Sequence, residues 1–324
     1  MDSNRDLEGM DLGFRAMLEA EFAEAAARPR PAPGSLPLDL AREGYRLRRR
    51  SQDPSPPSDV DSRDLTLELE GRTLRARLYS PAETTFPSAL LVYFHGGGFI
   101  VGDLESHDGH CRRLAAGSGA QIMAVDYRLA PENPFPAAHD DALDAVRWAF
   151  ANCAMLNVAR DRIGVGGDSA GANLAASVAC DLFGDAELEL AVQVLLYPAI
   201  WPEEETESRK IHDGLVLSKA GFAWFDKCLR VDGRAECDRL KIARRPTATP
   251  QMIVTAGFDP LRDEGRFLHE LRIRQGLQSN YVDFPDLIHD FFVMPAISAR
   301  VEVAAAHVAS SVAKALSGGA RLSA

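Results

Sequence analysis

Runs of hydrophobic residues divide most of this chain into short strands and helices. Between residues 65 and 78, apolar and polar positions alternate on both sides of Gly71, which predicts an antiparallel hairpin. After it, short apolar runs are separated by segments with helical spacing. The predicted strands are residues 89–94, 121–125, 163–165, 191–196, 251–256 and 279–284. The predicted helices between them are residues 106–116, 137–150, 172–182 and 264–274.

Strands that are apolar throughout and that alternate with helices are typical of a parallel sheet covered on both faces. The sequence therefore predicts an α/β fold. The alternation breaks once, between Pro198 and Pro250, where the chain is first acidic and then aromatic. We predict that this interval is an inserted element forming part of a lid. A further amphipathic helix is predicted at residues 12–27, ended by the proline-rich stretch 28–37.

Composition and charge exclude several classes of function. The 324 residues are 46% hydrophobic and 26% charged, so the chain can bury a substantial core. The 36 basic and 47 acidic residues give a net charge of −11, which disfavours nucleic acid or an anionic membrane surface as a partner. One basic cluster, between Arg46 and Arg50, lies beside the Pro/Ser/Asp-rich residues 51–61. We expect that region to be a solvated linker.

The N-terminal residues and the cysteines predict a cytoplasmic protein. The first six residues are polar with no apolar signal core behind them, and no apolar run is long enough to span a bilayer. The five cysteines are odd in number and lack a CxxC pair, which argues against a disulfide scaffold or a structural zinc site. They are Cys111, Cys153, Cys180, Cys228 and Cys237.

The strongest chemical signal is the segment GDSAG at residues 167–171. It follows the strand at 163–165 and opens the next helix. In so tight a strand-to-helix turn, the serine Oγ is pushed out above the sheet, and the flanking glycines let strand and helix approach each other. A G-x-S-x-G pattern alone is weak, but this context predicts Ser169 as a nucleophile. Asp168 is expected to orient backbone rather than react.

The second signal is the segment HGGGF at residues 95–99, directly after the strand at 89–94. Consecutive glycines allow backbone N–H groups to point into a site, where they form an oxyanion hole with the N–H that follows the nucleophile. We predict Gly97, Gly98 and Ala170 as the donors. A phosphate-cradling loop is the alternative, but no lysine follows the glycines.

A nucleophilic serine needs a base, and the base needs an acid that holds its tautomer. Of the histidines after Ser169, only His289 follows a core strand directly; the others fall in the insertion or in helical patterns. Asp259 likewise follows the strand at 251–256, whereas Asp263, the alternative acid, looks like the first turn of a helix. The sequence therefore predicts two-step acyl transfer through an acyl-enzyme intermediate, with no cofactor and no metal.

These motifs identify the chain as similar to the hormone-sensitive-lipase-like carboxylesterases, the bacterial family IV. The resemblance rests on residues 95–99, 126–132 (DYRLAPE), 167–175 and 259–263 (DPLRD), and it extends from the first hairpin to the C-terminus. It implies an α/β-hydrolase fold, short-chain acyl esters as substrates, and a lid built from two segments. The implied division is residues 1–60 as the N-terminal helical part of the lid, 61–200 and 241–324 as the catalytic domain, and 201–240 as the inserted part of the lid.

Several points stay open. An amidase, lactonase or thioesterase could use the same triad, while a non-catalytic receptor on this fold is disfavoured by the presence of His289. We predict that Trp201, Leu215 and Phe222 line the substrate pocket. Asp290 stands where the family usually has glycine; we expect its side chain to point to solvent, where screening leaves it little effect on His289. The expected partner is a small-molecule ester, and the sequence leaves the oligomeric state open, a homodimer included.

Overall fold

A computed structural model describes residues 6–29, 31–201, 204–231 and 239–317. Its centre is an eight-stranded sheet in the order β1-β2-β4-β3-β5-β6-β7-β8, in which β2 is antiparallel to both of its neighbours and the remaining pairs are parallel. The strands are β1 Val60–Leu69, β2 Arg72–Pro81, β3 Ser88–Phe94, β4 Gln121–Asp126, β5 Val158–Asp168, β6 Gln193–Leu196, β7 Gln251–Phe258 and β8 Ser279–Ile288.

Helices lie on both faces of this sheet. They are α1 Leu12–Ala27, α2 Leu38–Gln52, α3 Asp108–Ser118, α4 Ala137–Ala151, α5 Cys153–Leu156, α6 Ala170–Asp181, α7 Glu207–Ile211, α8 Lys219–Leu229, α9 Arg262–Arg274 and α10 Arg300–Leu316. Strand β3 shows why the apolar runs are continuous: Val92 belongs to the core cluster with α4 and α6, whereas Leu91 belongs to the cluster with α3 and α10. Both faces of the strand are buried, so both sets of positions are apolar. The predicted α/β fold with a mostly parallel sheet is confirmed.

The predicted hairpin is confirmed as β1 and β2, which pair in antiparallel register from Val60 with Pro81 to Leu69 with Arg72. Strands β5 and β8 are longer than predicted. The first half of β5 carries exposed polar residues such as Arg160, and β8 carries Pro285 within its run. Polar residues and a proline break the apolar pattern without ending the strand, because these stretches lie at less buried parts of the sheet.

The basic cluster is not a solvated linker. Residues 46–50 lie in α2, a helix that the hydrophobic pattern did not predict. Two of the arginines pair with carboxylates in loops that follow strands of the sheet. Arg46 Nε lies 2.7 Å from Oδ2 of Asp103, after β3, and Arg49 Nη2 lies 2.5 Å from Oδ2 of Asp290, after β8. The prediction was wrong because these arginines belong to a helix and pair with acids distant in the sequence.

The interval between Pro198 and Pro250 contains α7, α8 and a short 3-10 helix, Ile242–Arg244. Both α2 and α8 contact the loop that follows β3. Arg42 of α2 donates through Nε to the carbonyl of Ile100 at 2.9 Å, and a Cβ placed on Gly98 would lie 2.7 Å from the ring of Phe225 in α8. These contacts are those expected of a lid in two parts. The division of the chain into lid and catalytic domain stays a prediction.

The four cysteines within the described ranges are free thiols, whereas Cys237 lies outside the described residues. In the part of the chain that the structure covers, no helix is long and apolar enough to cross a membrane.

Candidate active site

Ser169 lies in the turn between β5 and α6, with φ 53° and ψ −115°. Positive φ is costly for a residue with a Cβ, and such outliers are typical of functional positions. A Cβ on Gly171 would lie 1.9 Å from the carbonyl oxygen of Phe94, so only glycine lets α6 approach β3 this closely. The Ser169 N–H donates to the carbonyl of Leu196 at 2.8 Å, which ties the turn to β6.

Three side chains from the carboxyl ends of parallel strands form one hydrogen-bonded row. His289, directly after β8, places Nε2 3.0 Å from Oγ of Ser169 and Nδ1 2.7 Å from Oδ2 of Asp259, which follows β7. The other oxygen of Asp259 accepts the N–H of Leu261 at 2.7 Å. Asp259, His289 and Ser169 are 0%, 1% and 7% exposed, so these hydrogen bonds are shielded from water. This is the geometry of a nucleophile, a base and an orienting acid.

The alternative acid lies elsewhere. Asp263 is in the first turn of α9, and its Oδ2 accepts the backbone N–H of Ser208 at 2.9 Å. It therefore helps to hold α7 against α9, and the structure places Asp259, not Asp263, next to His289.

The loop after β3 has the conformation that its glycines allow. Gly97 and Gly98 have φ of 115° and 63°, and a Cβ on Gly97 would lie 2.2 Å from the carbonyl oxygen of Val101. Within the described ranges, neither N–H of these two glycines has an acceptor in the protein. Ala170 is the first residue of α6, so its N–H has no acceptor in a preceding helical turn.

Asp168 connects this loop to the turn at Ser169. Its Oδ1 accepts the N–H of Gly96 at 3.0 Å and the hydroxyl of Tyr93 at 2.7 Å. The prediction that Asp168 orients backbone is confirmed. Asp168 is 1% exposed, and the nearby imidazole of His107 helps to hold its pKa well below the ordinary range although burial alone would raise it.

Asp290 does not point to solvent, and that expectation was wrong. Its φ is 64°, in the left-handed region that glycine adopts freely and aspartate tolerates. This backbone turns the side chain inward, where Oδ2 meets Arg49 and Oδ1 lies 3.4 Å from Nε2 of His289. Burial lowers the pKa of His289, but the carboxylates of Asp259 and Asp290 outweigh it and raise the pKa to about 9.

A cavity of about 180 Å³ opens beside Ser169 and is walled by α8 and the segment before it. Trp201 and Phe222 line it, as does Ala170. Leu215 does not line it but is buried in the core cluster on the α3 and α10 face. The reason is a tight turn, in which the N–H of Gly214 donates to the carbonyl of Leu217 at 2.7 Å, so that Leu217 reaches the cavity instead.

Sequence reasoning missed the polar part of this wall. Arg209 and Asp226 line the cavity. The Arg209 guanidinium lies 4.2 Å from the centre of the Phe222 ring, and its Nε lies 2.6 Å from Oε1 of the buried Glu264. Burial raises the pKa of Asp226. Neither residue belongs to a motif, because their positions follow from how α7 and α8 lie over the sheet.

The described residues contain no group of three or more His, Cys, Asp or Glu side chains that could hold a metal ion.

Comparison with known proteins places this geometry in a family. Residues 91–293 match the profile of a family described as having the alpha/beta hydrolase fold. The esterase LipI of Mycobacterium tuberculosis is 34% identical over 278 residues, covering 80% of this chain and 84% of its own. An ethyl acetate hydrolase of Pseudomonas putida is 35% identical over 246 residues, covering 72% and 76%.

Solved structures agree with these sequence relatives. The ester-hydrolase EH1AB1 from the metagenome of Lake Arreo superimposes with a TM-score of 0.88 at 32% identity, over 94% of this chain and 98% of its own. A hyperthermophilic esterase from the archaeon Pyrobaculum calidifontis gives a TM-score of 0.84 at 33% identity, with the same coverage.

Proposed function

This chain is a carboxylic ester hydrolase of the hormone-sensitive-lipase-like family in the α/β-hydrolase fold, and from that premise we propose that it cleaves short-chain acyl esters through an acyl-enzyme on Ser169. The observation that carries the proposal is the buried row of Ser169, His289 and Asp259, with contacts of 3.0 and 2.7 Å. A row of this geometry can remove the serine proton as the hydroxyl attacks a carbonyl.

In the first half of the reaction, Nε2 of His289 takes the proton of Ser169 while Oγ bonds to the ester carbonyl carbon. The backbone N–H groups of Gly97, Gly98 and Ala170 stabilise the negative oxygen of the tetrahedral intermediate. The Nε2 proton then passes to the leaving alkoxide oxygen, the carbon–oxygen bond breaks, and the alcohol leaves an acyl ester on Ser169.

In the second half, water replaces the alcohol. His289 accepts a proton from the attacking water, a second tetrahedral intermediate forms, and the same proton returns to Oγ of Ser169 as the carboxylic acid leaves. Asp259 holds the imidazole so that Nε2 faces the serine, and it stabilises the imidazolium in both halves.

The size of the cavity supports short acyl groups. At about 180 Å³ it is well below the roughly 300–1,000 Å³ of sites for drug-sized ligands. The rings of Trp201, Phe222 and Phe225 line it, so a long chain would meet bulky side chains. A panel of p-nitrophenyl esters of graded acyl length should show kcat/KM highest at short chains. Faster hydrolysis of long-chain esters would contradict this.

The triad itself is tested with Ser169→Ala. We expect kcat to fall by about a million-fold, as for other triad nucleophiles, with an unchanged thermal transition. A fluorophosphonate should label the wild type at Ser169 and leave the variant unlabelled. Retained hydrolysis or retained labelling in the variant would show that another residue is the nucleophile. Matched p-nitrophenyl ester and anilide substrates separate esterase from amidase turnover.

A further inference from the structure

A buried ion pair connects the N-terminal helix α2 to the base of the proposed reaction. We propose that Arg49 and Asp290 are positioning residues, through which α2 acts on the imidazole of His289 and becomes part of the catalytic apparatus. This inference rests on the proposed role of His289.

Asp290 reaches the nitrogen on which the chemistry depends. Its Oδ1 lies 3.4 Å from Nε2 of His289, the same atom that lies 3.0 Å from Oγ of Ser169. Its other oxygen is 2.5 Å from Nη2 of Arg49. The side chains of Arg49 and Asp290 are only 7% and 10% exposed, so water and salt screen the pair weakly.

Arg49 is held in place rather than free to swing. Its Nη1 donates to Oε1 of Gln52 at 3.1 Å, and its guanidinium lies 4.7 Å from the centre of the Tyr45 ring. The end of α2 is fixed by the carbonyl of Gln52, which accepts the N–H of Ala296 at 3.0 Å. Beyond it, Asp53 makes two contacts with Arg113 of α3, at 2.6 and 2.8 Å. A positive charge is thereby placed at a defined position behind Asp290.

Other groups also face this site. Asp259 contacts His289 from the end of β7. Tyr197, directly after β6, places its ring 4.9 Å from the imidazole of His289, and Asp168 adds negative charge from the end of β5. The hydroxyl of Tyr45 and the whole of Tyr197 are buried near the Arg49–Asp290 pair and remain neutral, because burial raises the pKa of both. Two carboxylates beside the base would hold its proton strongly, and Arg49 offsets one of them.

The two charges should therefore act on His289 in opposite directions. The base must be neutral to accept the serine proton, so the acidic limb of kcat/KM against pH follows the pKa of His289 in the free enzyme. Removing the charge of Asp290 removes an attraction for the imidazolium, which lowers this pKa. Removing the charge of Arg49 leaves Asp290 uncompensated, which raises it.

The test is kcat/KM of p-nitrophenyl acetate against pH, with kcat and KM resolved separately. Asp290→Asn should move the acidic limb to lower pH and Arg49→Gln to higher pH, each by about one unit, or tenfold in kcat/KM on that limb. Arg49→Lys keeps the charge and should leave the limb near its wild-type position. Arg46→Gln removes another cation of α2, one paired with Asp103, and is the matched control that should not move it.

If the acidic limbs of Asp290→Asn and Arg49→Gln move in the same direction, or do not move, the inference is overturned and the ion pair is only a packing contact. Should Arg49→Gln not fold, Asp290→Asn decides alone, and an unmoved limb overturns the proposal. The rate of fluorophosphonate labelling separates this failure from that of the proposed function. If wild type and Ser169→Ala label alike, the function fails; if only wild type labels but the limbs do not diverge, the inference alone fails.

Discussion

At the scale of single residues, the reacting groups could be predicted because each follows a strand of the sheet directly. The strand pattern placed Ser169, Asp259 and His289 at one edge, and the structure brings their side chains together. The environment of Asp290 could not be predicted in this way. It depends on a positive φ and on Arg49, which is 241 positions away in the chain and lies in a helix that the pattern did not reveal.

The acid beside His289 gives the first prediction. Asp259→Asn should lower kcat by about ten-thousand-fold, because the imidazole loses the partner that fixes its tautomer. Asp263→Asn should have a far smaller effect, since its carboxylate pairs with the backbone N–H of Ser208 and with Arg266 rather than with His289. Steady-state kinetics on both variants decides, and a larger loss in Asp263→Asn would show that the acid is misassigned.

At the scale of elements, turns and loops at strand ends were easier to predict than the helices of the lid. Consecutive glycines in the sequence predict the backbone conformation of the loop after β3. The direction in which a lid side chain points, in contrast, depends on how the whole chain packs. Leu215 illustrates this, because one turn at Gly214 directs it into the core and directs Leu217 to the cavity. No local pattern distinguishes the two leucines.

The loop after β3 gives the second prediction. Gly97→Ala should reduce kcat by about a hundred- to a thousand-fold, the usual effect of losing an oxyanion donor, because its Cβ would displace the loop at Val101. Gly71→Ala is the matched control. Gly71 also has positive φ, 73°, but a Cβ there meets nothing within 4 Å. Gly71→Ala should lose about 1 kcal/mol of stability, Gly97→Ala should lose more because its Cβ also meets Val101, and only Gly97→Ala should lose activity. Equal activity in the two would argue against a role for this loop.

At the scale of the whole molecule, the sheet order and the two cores follow from the strand pattern, but the burial of charged and titratable groups does not. His95, His110 and His139 are 3%, 2% and 1% exposed. Burial lowers their pKa values to about 4, 3 and 3. These histidines are neutral in the folded protein, and only the three-dimensional structure shows that they lie in its interior.

This burial predicts sensitivity to acid. Below the ordinary histidine pKa of about 6.5 the unfolded chain binds these protons and the folded protein does not. The free energy of unfolding should therefore fall with decreasing pH, by up to about 1.4 kcal/mol per unit for each histidine. His289 has the opposite sign: its contribution is complete below about 6.5 and is lost as pH rises through about 9.

Urea denaturation between pH 6 and 5 measures the acid effect. His139→Gln removes one of these titrating groups and should reduce the slope of unfolding free energy against pH by about one histidine's share. The glutamine amide can still pair with Oδ1 of Asn173, which lies 3.0 Å from Nε2 of His139. An unchanged slope would mean that His139 is protonated in the folded protein.

The backbone conformation of Ser169 favours catalysis at the expense of thermal stability. At φ 53° and ψ −115° this residue costs the folded protein of order 1–3 kcal/mol, a cost that a glycine there would largely relieve. Ser169→Gly should melt at a higher temperature than wild type, whereas Ser169→Ala, which keeps a Cβ, should not. Natural selection would then have retained a serine at a position where glycine gives the more stable but inactive protein. A screen for thermostable variants that ignores turnover would select this inactive variant.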